Sequence, residues 1–190
     1  MKNQISTCAA KALERLQIGN NKYIRAVKPC GDISPDMRQT SGRDGQHPFA
    51  VIVACSDSRV IPEAIFSVGI GELFVIRVAG NVIGDHELGS IEYAVEHLGC
   101  RLVLVMGHDH CGAVDAAMHS APVGYVHFLT DEIRASIGEE MDEAMASWLN
   151  ARSGCRRIEE KLCLSEKVRG ELLALPALYR VETGVVEFEF

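Results

Sequence analysis

Positive charge is scarce in this sequence, and long apolar runs are absent from it. The chain has 19 basic and 26 acidic side chains, which gives a net charge of −7. Because phosphate binding requires a dense basic surface, this balance disfavours a nucleic-acid partner. The longest apolar run, residues 49–55, is far shorter than the ~20 residues that a membrane-spanning helix needs. We therefore expect no nucleic-acid partner and no membrane span.

The sequence also lacks the signals of secretion and of thiol redox chemistry. Its first residues contain no apolar signal-peptide core, so we expect a cytoplasmic protein. Seven cysteines at irregular spacing do not form a disulfide pattern, and no Cys-x-x-Cys is present, which disfavours a thiol redox protein. Most cysteines in a reducing compartment are small buried hydrophobic residues. A functional role for any cysteine must therefore rest on its neighbours.

Alternating strand and helix patterns predict an α/β fold. We expect a mostly parallel central β-sheet, flanked by helices, with an antiparallel C-terminal strand, in a single domain over residues 1–190. That domain divides into a helical N-terminal arm at 1–28, a core at 49–114 and a C-terminal hairpin at 177–190. The arm could pack on a partner subunit or on its own sheet. The predicted strands are 51–54, 73–78, 102–106, 177–181 and 185–190.

The predicted helices follow from apolar spacing, caps and breakers. Ser6 can cap the first helix and Gly19 with Asn20 can end it, and Ser34 can cap the second. Residues 123–173 are typical of helices, with breaks expected at Gly138 and Gly154. The predicted helices are 6–18, 35–39, 62–66, 85–98, one that starts near 112, and those within 123–173.

The stretch 51–59 combines a buried strand with an abrupt polar end. Four apolar residues are followed by Cys55, Ser56, Asp57, Ser58 and Arg59. In open α/β sheets, ligands bind at the carboxyl edge of the strands. Right-handed crossovers place the ends of the first three strands on that same edge. We therefore expect the chemistry of the protein to lie there.

Two of these strand ends carry soft metal ligands. Cys55 ends the first strand, and His108 and Cys111 follow the third. Two thiolates and one imidazole suit zinc, and three protein ligands leave a fourth position open, as in catalytic zinc sites. His110 and His119 compete with His108, but the two-residue gap to Cys111 favours His108. The sequence thus predicts a catalytic zinc site.

Asp57 and Arg59 lie two residues apart, just beyond the first strand. A carboxylate near a metal can ligate it or accept a hydrogen bond from bound solvent, and a neighbouring guanidinium holds that carboxylate ionised. A surface salt bridge on a loop is the alternative. The nearby Cys55 favours the functional interpretation.

At this point the sequence resembles the β-class carbonic anhydrases. The similarity is strongest over residues 46–114, with supporting segments at 71–77 and 89–95. It implies reversible, zinc-dependent hydration of CO2 to bicarbonate and a proton through zinc-bound hydroxide. It also implies a homodimer or a higher multiple. The motifs that carry the resemblance are Cys55-x-Asp57-x-Arg59 and Gly107-His108-x-x-Cys111-Gly112.

The resemblance assigns a role to each matching position. Zinc would be held by Cys55, His108 and Cys111. The catalytic pair beside the zinc-bound solvent would be Asp57 and Arg59. The substrate-binding residues would be Gln46, reaching in from the partner subunit, with Phe74, Ala79 and Tyr93 lining an apolar CO2 pocket and Gly112 offering its backbone N–H.

Two other functions share the same zinc ligands. One is a related hydrolase that acts on carbonyl sulfide or carbon disulfide, which relative turnover on the gases would distinguish. The other is a non-catalytic zinc protein in which Asp57 is the fourth ligand. The intact Asp57–Arg59 pair and Gln46 argue against the second alternative.

Overall fold

The fold is built on one sheet with four parallel strands and an antiparallel edge. The computed structural model describes residues 5–26, 28, 31–121 and 123–190, and the strands within these ranges form one sheet in the order β2-β1-β3-β4-β5. β5 pairs antiparallel with β4, and the other neighbours pair in parallel. The fold class predicted from the sequence is confirmed. The strands are β1 (Ala50–Ala54), β2 (Leu73–Arg77), β3 (Leu102–His108), β4 (Leu173–Tyr179) and β5 (Val186–Phe188).

Most of the helices begin at a residue whose side chain caps the first turn or at a proline in the first turn. Ser6 accepts a hydrogen bond from the Ala9 N–H, and Ser34 accepts one from Met37, as the sequence predicts. No helix in the described part of the chain is long and apolar enough to cross a membrane. The helices are α1 (Thr7–Arg25), α2 (Pro35–Asp44), α3 (Pro62–Ile65), α4 (Asp85–His97), α5 (Gly112–His119), α6 (Val126–Ile137), α7 (Glu143–Lys161) and α8 (Glu166–Glu171).

Helices cover both faces of the sheet. Alternate residues of β1 point to opposite faces, so Ile52 packs with Leu16 of α1, while Val51 and Val53 pack with the α4 and α7 side. Every residue of β1 and β3 is buried. The N-terminal helix therefore packs on its own sheet, and a contact of the arm with a partner subunit stays a prediction. Residues 1–4 and 27 of that arm lie outside the described residues.

Two predicted helix breaks are wrong, because each glycine serves close packing inside a helix. Gly19 lies within α1, where a Cβ atom would stand 1.9 Å from the Phe66 carbonyl oxygen. Gly154 lies within α7, where a Cβ atom would stand 3.0 Å from a methyl group of Val105. The break expected at Gly138 is present. Local sequence marks a glycine as a breaker but does not reveal the neighbour that requires its small size.

Other boundaries differ modestly from those expected. α2 extends to Asp44, beyond the predicted end at 39, and β4 begins at Leu173, inside the segment expected to be helical. β3 continues to His108 because its pairing with β4 extends to Tyr179. The strand register also places Ala54 beside Arg77 and Met106. The end of β1 therefore lies between the ends of β2 and β3.

Candidate metal centre

Three buried side chains meet at the carboxyl edge of the sheet. Cys55 directly follows β1, His108 ends β3, and Cys111 immediately precedes α5. Their ligand atoms all lie within 4.8 Å of one another, and the two Sγ atoms are 4.0 Å apart. Parallel strands bring these residues together although 53 positions separate Cys55 from His108. The structure thus groups the three ligands that the sequence predicts.

The His108 ring has one nitrogen engaged and one buried without a partner. Nδ1 lies 2.7 Å from the Asp109 carbonyl oxygen and donates to it, while Nε2 has no hydrogen-bond partner. Histidines that bind metals commonly donate their other ring N–H to a carbonyl in this way. An unpartnered buried nitrogen beside two thiols fits a zinc ion. Neither of the competing histidines belongs to this cluster.

The pKa values of the two thiols shift in opposite directions. The Cys111 thiol lowers the pKa of Cys55, and the interaction with Cys55 raises the pKa of Cys111, with burial acting in the same direction. The protein alone thus holds one thiolate readily and resists a second. Burial works to lower the pKa of His108, but interaction with Cys55 raises it overall. A divalent cation neutralises the charge of two buried thiolates, which the surrounding protein groups do not.

Backbone amides support the Cys55 sulfur. The N–H groups of Gly80 and Asp57 donate to Sγ at 3.3 and 3.4 Å. Gly80 has a positive φ of 69°, and a Cβ atom there would stand 2.5 Å from the terminal methyl of Ile133. The 3-10 turn Ala79–Asn81 therefore depends on glycine to aim this N–H at the sulfur.

Two side chains of α7 donate hydrogen bonds to backbone carbonyls in the same region. Ser147 donates to the His108 carbonyl at 3.0 Å, and Asn150 donates to the Gly80 carbonyl at 2.7 Å. Both are buried, at 1% and 5% exposure. Neither residue is among those predicted from the sequence. Their signal is a polar pair at helical spacing (i, i+3) on a face otherwise occupied by Ala146 and Ala151.

Asp57 is clamped by Arg59 and does not join the ligand cluster. Nε and Nη2 of Arg59 donate to the two carboxylate oxygens at 3.0 and 2.7 Å, and the Arg59 backbone N–H donates at 2.9 Å. These hydrogen bonds hold the pKa of Asp57 well below its usual range. Arg59 also binds the His110 carbonyl, and Arg77 binds the Cys55 and Asp57 carbonyls. Arginines thus fix the loop that follows β1.

The predicted substrate residues separate into two groups within one chain. Ala79 begins the 3-10 turn and Gly112 begins α5, so both lie at the carboxyl edge with the metal cluster. Phe74 pairs with Val51 near the start of β1, and its ring lies 6.2 Å from that of Tyr93. Gln46 precedes β1 altogether, at the amino end of the sheet.

Comparison with known proteins agrees with this geometry. Residues 50–186 match the family model described as carbonic anhydrase. Carbonic anhydrase 2 of Mycobacterium tuberculosis is 34% identical over 206 residues, covering 97% of this chain and 93% of the relative. The chain belongs to the carbonic anhydrase family. A carbonic anhydrase of Mycolicibacterium smegmatis is 36% identical over 165 residues, covering 84% of this chain and 73% of the relative.

Solved structures place the chain in the β class of carbonic anhydrases. The β-carbonic anhydrase CafA of Aspergillus fumigatus matches with a TM-score of 0.69 and 26% identity, covering 80% of this chain and 85% of that one. A Coccomyxa β-carbonic anhydrase has the same fold, with a TM-score of 0.67, 24% identity, and 83% and 86% coverage. The protein is therefore a zinc-dependent carbonic anhydrase that hydrates CO2. The family predicted from the sequence motifs is confirmed.

Proposed function

We propose that Cys55, His108 and Cys111 hold the catalytic zinc ion of this carbonic anhydrase. The observation that carries this assignment is the buried, unpartnered Nε2 of His108, with the ligand atoms of all three residues within 4.8 Å of one another. A zinc ion held by these residues would act as a Lewis acid and would make water a nucleophile near neutral pH. The N–H groups that reach the Cys55 sulfur disperse part of its negative charge.

We further propose that Asp57 orients the reacting solvent and that Arg59 orients Asp57. An ionised carboxylate only accepts hydrogen bonds, so it selects the orientation in which the solvent O–H donates a hydrogen bond to it and a solvent lone pair faces the carbon atom. Arg59 supports this role because it keeps Asp57 ionised and fixed in a two-point clamp. Arg59 is thus a positioning residue, and Asp57 is the group that contacts the reacting atoms.

Ala79 and Gly112 are proposed to border the CO2 pocket. Both lie at the edge of the sheet that carries the metal cluster. The N–H of Gly112 is in the first turn of α5, where backbone N–H groups have no partner within the helix. That N–H is therefore available to a substrate oxygen, while the methyl group of Ala79 offers an apolar wall without a competing hydrogen bond.

Gln46, Phe74 and Tyr93 are proposed to serve the site of a second copy. Gln46 and Cys55 are separated by the whole of β1, whose five residues span roughly 16 Å at about 3.3 Å per residue. Because side chains at opposite ends of a sheet cannot share one small substrate, a partner subunit must supply this group. This proposal implies a homodimer or a higher multiple. The Sordaria macrospora β-carbonic anhydrases of similar fold are described as tetrameric. A cytoplasmic location remains an expectation from the sequence.

Stopped-flow CO2 hydration on protein of measured zinc content tests the ligand assignment. We expect about one zinc per chain, and both zinc and turnover should be lost in Cys111→Ala. Cys163→Ala removes an exposed thiol outside the cluster and is the matched control, with zinc and turnover unchanged. Stoichiometric zinc in Cys111→Ala would contradict the ligand set. Turnover of carbonyl sulfide or carbon disulfide that exceeds CO2 hydration would contradict the substrate.

A further inference from the structure

The hydrogen-bond ladder between β3 and β4 departs from its regular pattern at Asp109. In a parallel pair, every second residue of one strand donates its N–H to a carbonyl of the neighbouring strand. Leu173 begins this pattern in β4, because its N–H donates to the Arg101 carbonyl at 3.0 Å. The Asp109 N–H continues it by donating to the Tyr179 carbonyl at 3.2 Å. The next bond of a regular ladder would run from the Val181 N–H to the Asp109 carbonyl.

The carboxylate of Asp109 takes the place of that carbonyl. The Val181 N–H donates to Oδ1 of Asp109 at 2.8 Å. The Asp109 carbonyl instead accepts from Nδ1 of His108 at 2.7 Å. A backbone N–H that loses its acceptor inside a protein costs free energy. An acceptor oxygen on the side chain therefore allows the carbonyl to leave the ladder and turn to His108 while Val181 keeps a partner.

The turn that follows β4 holds this carboxylate in place. Nη1 of Arg180 lies 4.0 Å from Oδ2 of Asp109, whose side chain is only 16% exposed. Arg180 is itself fixed by a two-point contact with Glu187 of β5, at 2.8 and 3.1 Å. The backbone N–H and the carboxylate of Asp109 are thus both held by the segment that leaves β4. With both groups fixed, the direction of the Asp109 carbonyl is fixed as well.

We propose that Asp109 is a positioning residue for His108, a role that rests on the zinc ligand set proposed above. Because a carbonyl only accepts, the contact keeps the ring proton on Nδ1 and leaves the lone pair on Nε2, the nitrogen without a protein partner. An apolar side chain at this position would make one carbonyl serve either Val181 or His108. The property that matters is the acceptor oxygen of the side chain, and its negative charge is secondary.

Chelator competition and nuclear magnetic resonance of the zinc-loaded protein test the proposal. Asp109→Ala should weaken zinc binding by about 10–100-fold and broaden or abolish the Nδ1–H resonance of His108, because the carbonyl returns to Val181. Asp109→Asn keeps a side-chain oxygen that can accept, so it should bind zinc like the wild type. Glu187→Ala is the matched control, since it removes a partner of Arg180 in the same hairpin and leaves Asp109 intact. It should change neither zinc affinity nor the His108 resonance.

The wild-type protein provides a test that does not depend on the folding of a variant. The scalar coupling across the hydrogen bond of the Val181 amide should reach the side-chain carboxyl carbon of Asp109, and a coupling to its backbone carbonyl carbon would overturn the proposal.

Three results with the variants would overturn it as well: wild-type zinc affinity in Asp109→Ala, an equal loss of affinity in Asp109→Asn, or an equal loss in Glu187→Ala. Failure of the ligand set itself is distinguishable from these. In that case the Nε2 resonance of His108 would not shift when zinc is added to the metal-free wild-type protein.

Discussion

Replacing Asn150 by alanine should weaken both the fold and the hold on zinc. The Asn150 side chain is 5% exposed and donates to the Gly80 carbonyl at 2.7 Å. Its removal leaves a buried carbonyl without that partner, which costs about 1–3 kcal/mol. For a chain of this size, 1 kcal/mol corresponds to roughly 2–4 °C in Tm. We therefore expect Tm to fall by about 2–12 °C.

The effect on zinc follows from the other backbone group of the same residue, the Gly80 N–H, which lies in the preceding peptide unit. The Gly80 N–H donates to the Cys55 sulfur at 3.3 Å and contributes to lowering the pKa of Cys55. If Asn150 no longer fixes the Gly80 carbonyl, the backbone of Gly80 can rotate. Its N–H then no longer points at the Cys55 sulfur, and the thiolate loses that hydrogen bond. Groups that hydrogen-bond to metal ligands typically contribute about 10–100-fold to metal affinity. We expect a loss of that size in Asn150→Ala.

Competition with a chromophoric chelator measures the zinc affinity, and thermal unfolding measures Tm. Ser153→Ala is the matched control, because it removes a polar atom one turn further along α7 and leaves the Gly80 hydrogen bond intact. It should bind zinc like the wild type. If Asn150→Ala lowers Tm but binds zinc with wild-type affinity, the Gly80 N–H does not depend on the hydrogen bond to the Gly80 carbonyl, and the reasoning fails.

Three further perturbations follow from single observations. Asp57→Asn should retain zinc yet lose most CO2 turnover, because an amide does not replace the ionised acceptor; full stopped-flow activity would remove Asp57 from the mechanism. Gly19→Ala should destabilise the protein by at least about 1–3 kcal/mol in urea unfolding, because its Cβ would stand 1.9 Å from the Phe66 carbonyl oxygen. Gly42→Ala, whose Cβ meets nothing within 4 Å, is its control and should not destabilise. Burial raises the pKa of the Cys100 thiol from 9.0 to about 11. The stability that comes from keeping this thiol protonated is present below pH 9 and is lost as the pH rises to 11. The Tm of Cys100→Ala should therefore fall less steeply with rising alkaline pH than the Tm of the wild type. An unchanged slope would refute this role of Cys100.

The first three strands could be predicted from the sequence to within one or two residues. Runs of Val, Ile and Leu between polar segments are strong local signals, so the ends of β1 and β2 lie within one residue of the expected positions. β3 is longer than expected because pairing with β4, some 70 residues away, carries it to His108. A local pattern contains no information about such a partner.

The metal ligands could be predicted because residue type and spacing alone restrict the chemistry. Two cysteines and a histidine at the ends of parallel strands specify both the metal and the place. The supports at Ser147 and Asn150 could not be found in that way. Their partners are carbonyl groups, which every residue possesses, so nothing in the sequence marks which carbonyl a buried side chain will meet.

These supports answer a problem that the sheet edge itself creates. The His108 carbonyl lies at the end of β3 and the Gly80 carbonyl lies in the 3-10 turn beyond β2, and α7 buries both. A buried carbonyl requires a donor, and α7 provides a hydroxyl to one and an amide to the other. Because those carbonyls belong to a metal ligand and to the turn that contacts Cys55, the hydrogen bonds that allow burial also orient the ligands. Stability and zinc binding are therefore coupled at this edge, and substitutions in α7 should change both together.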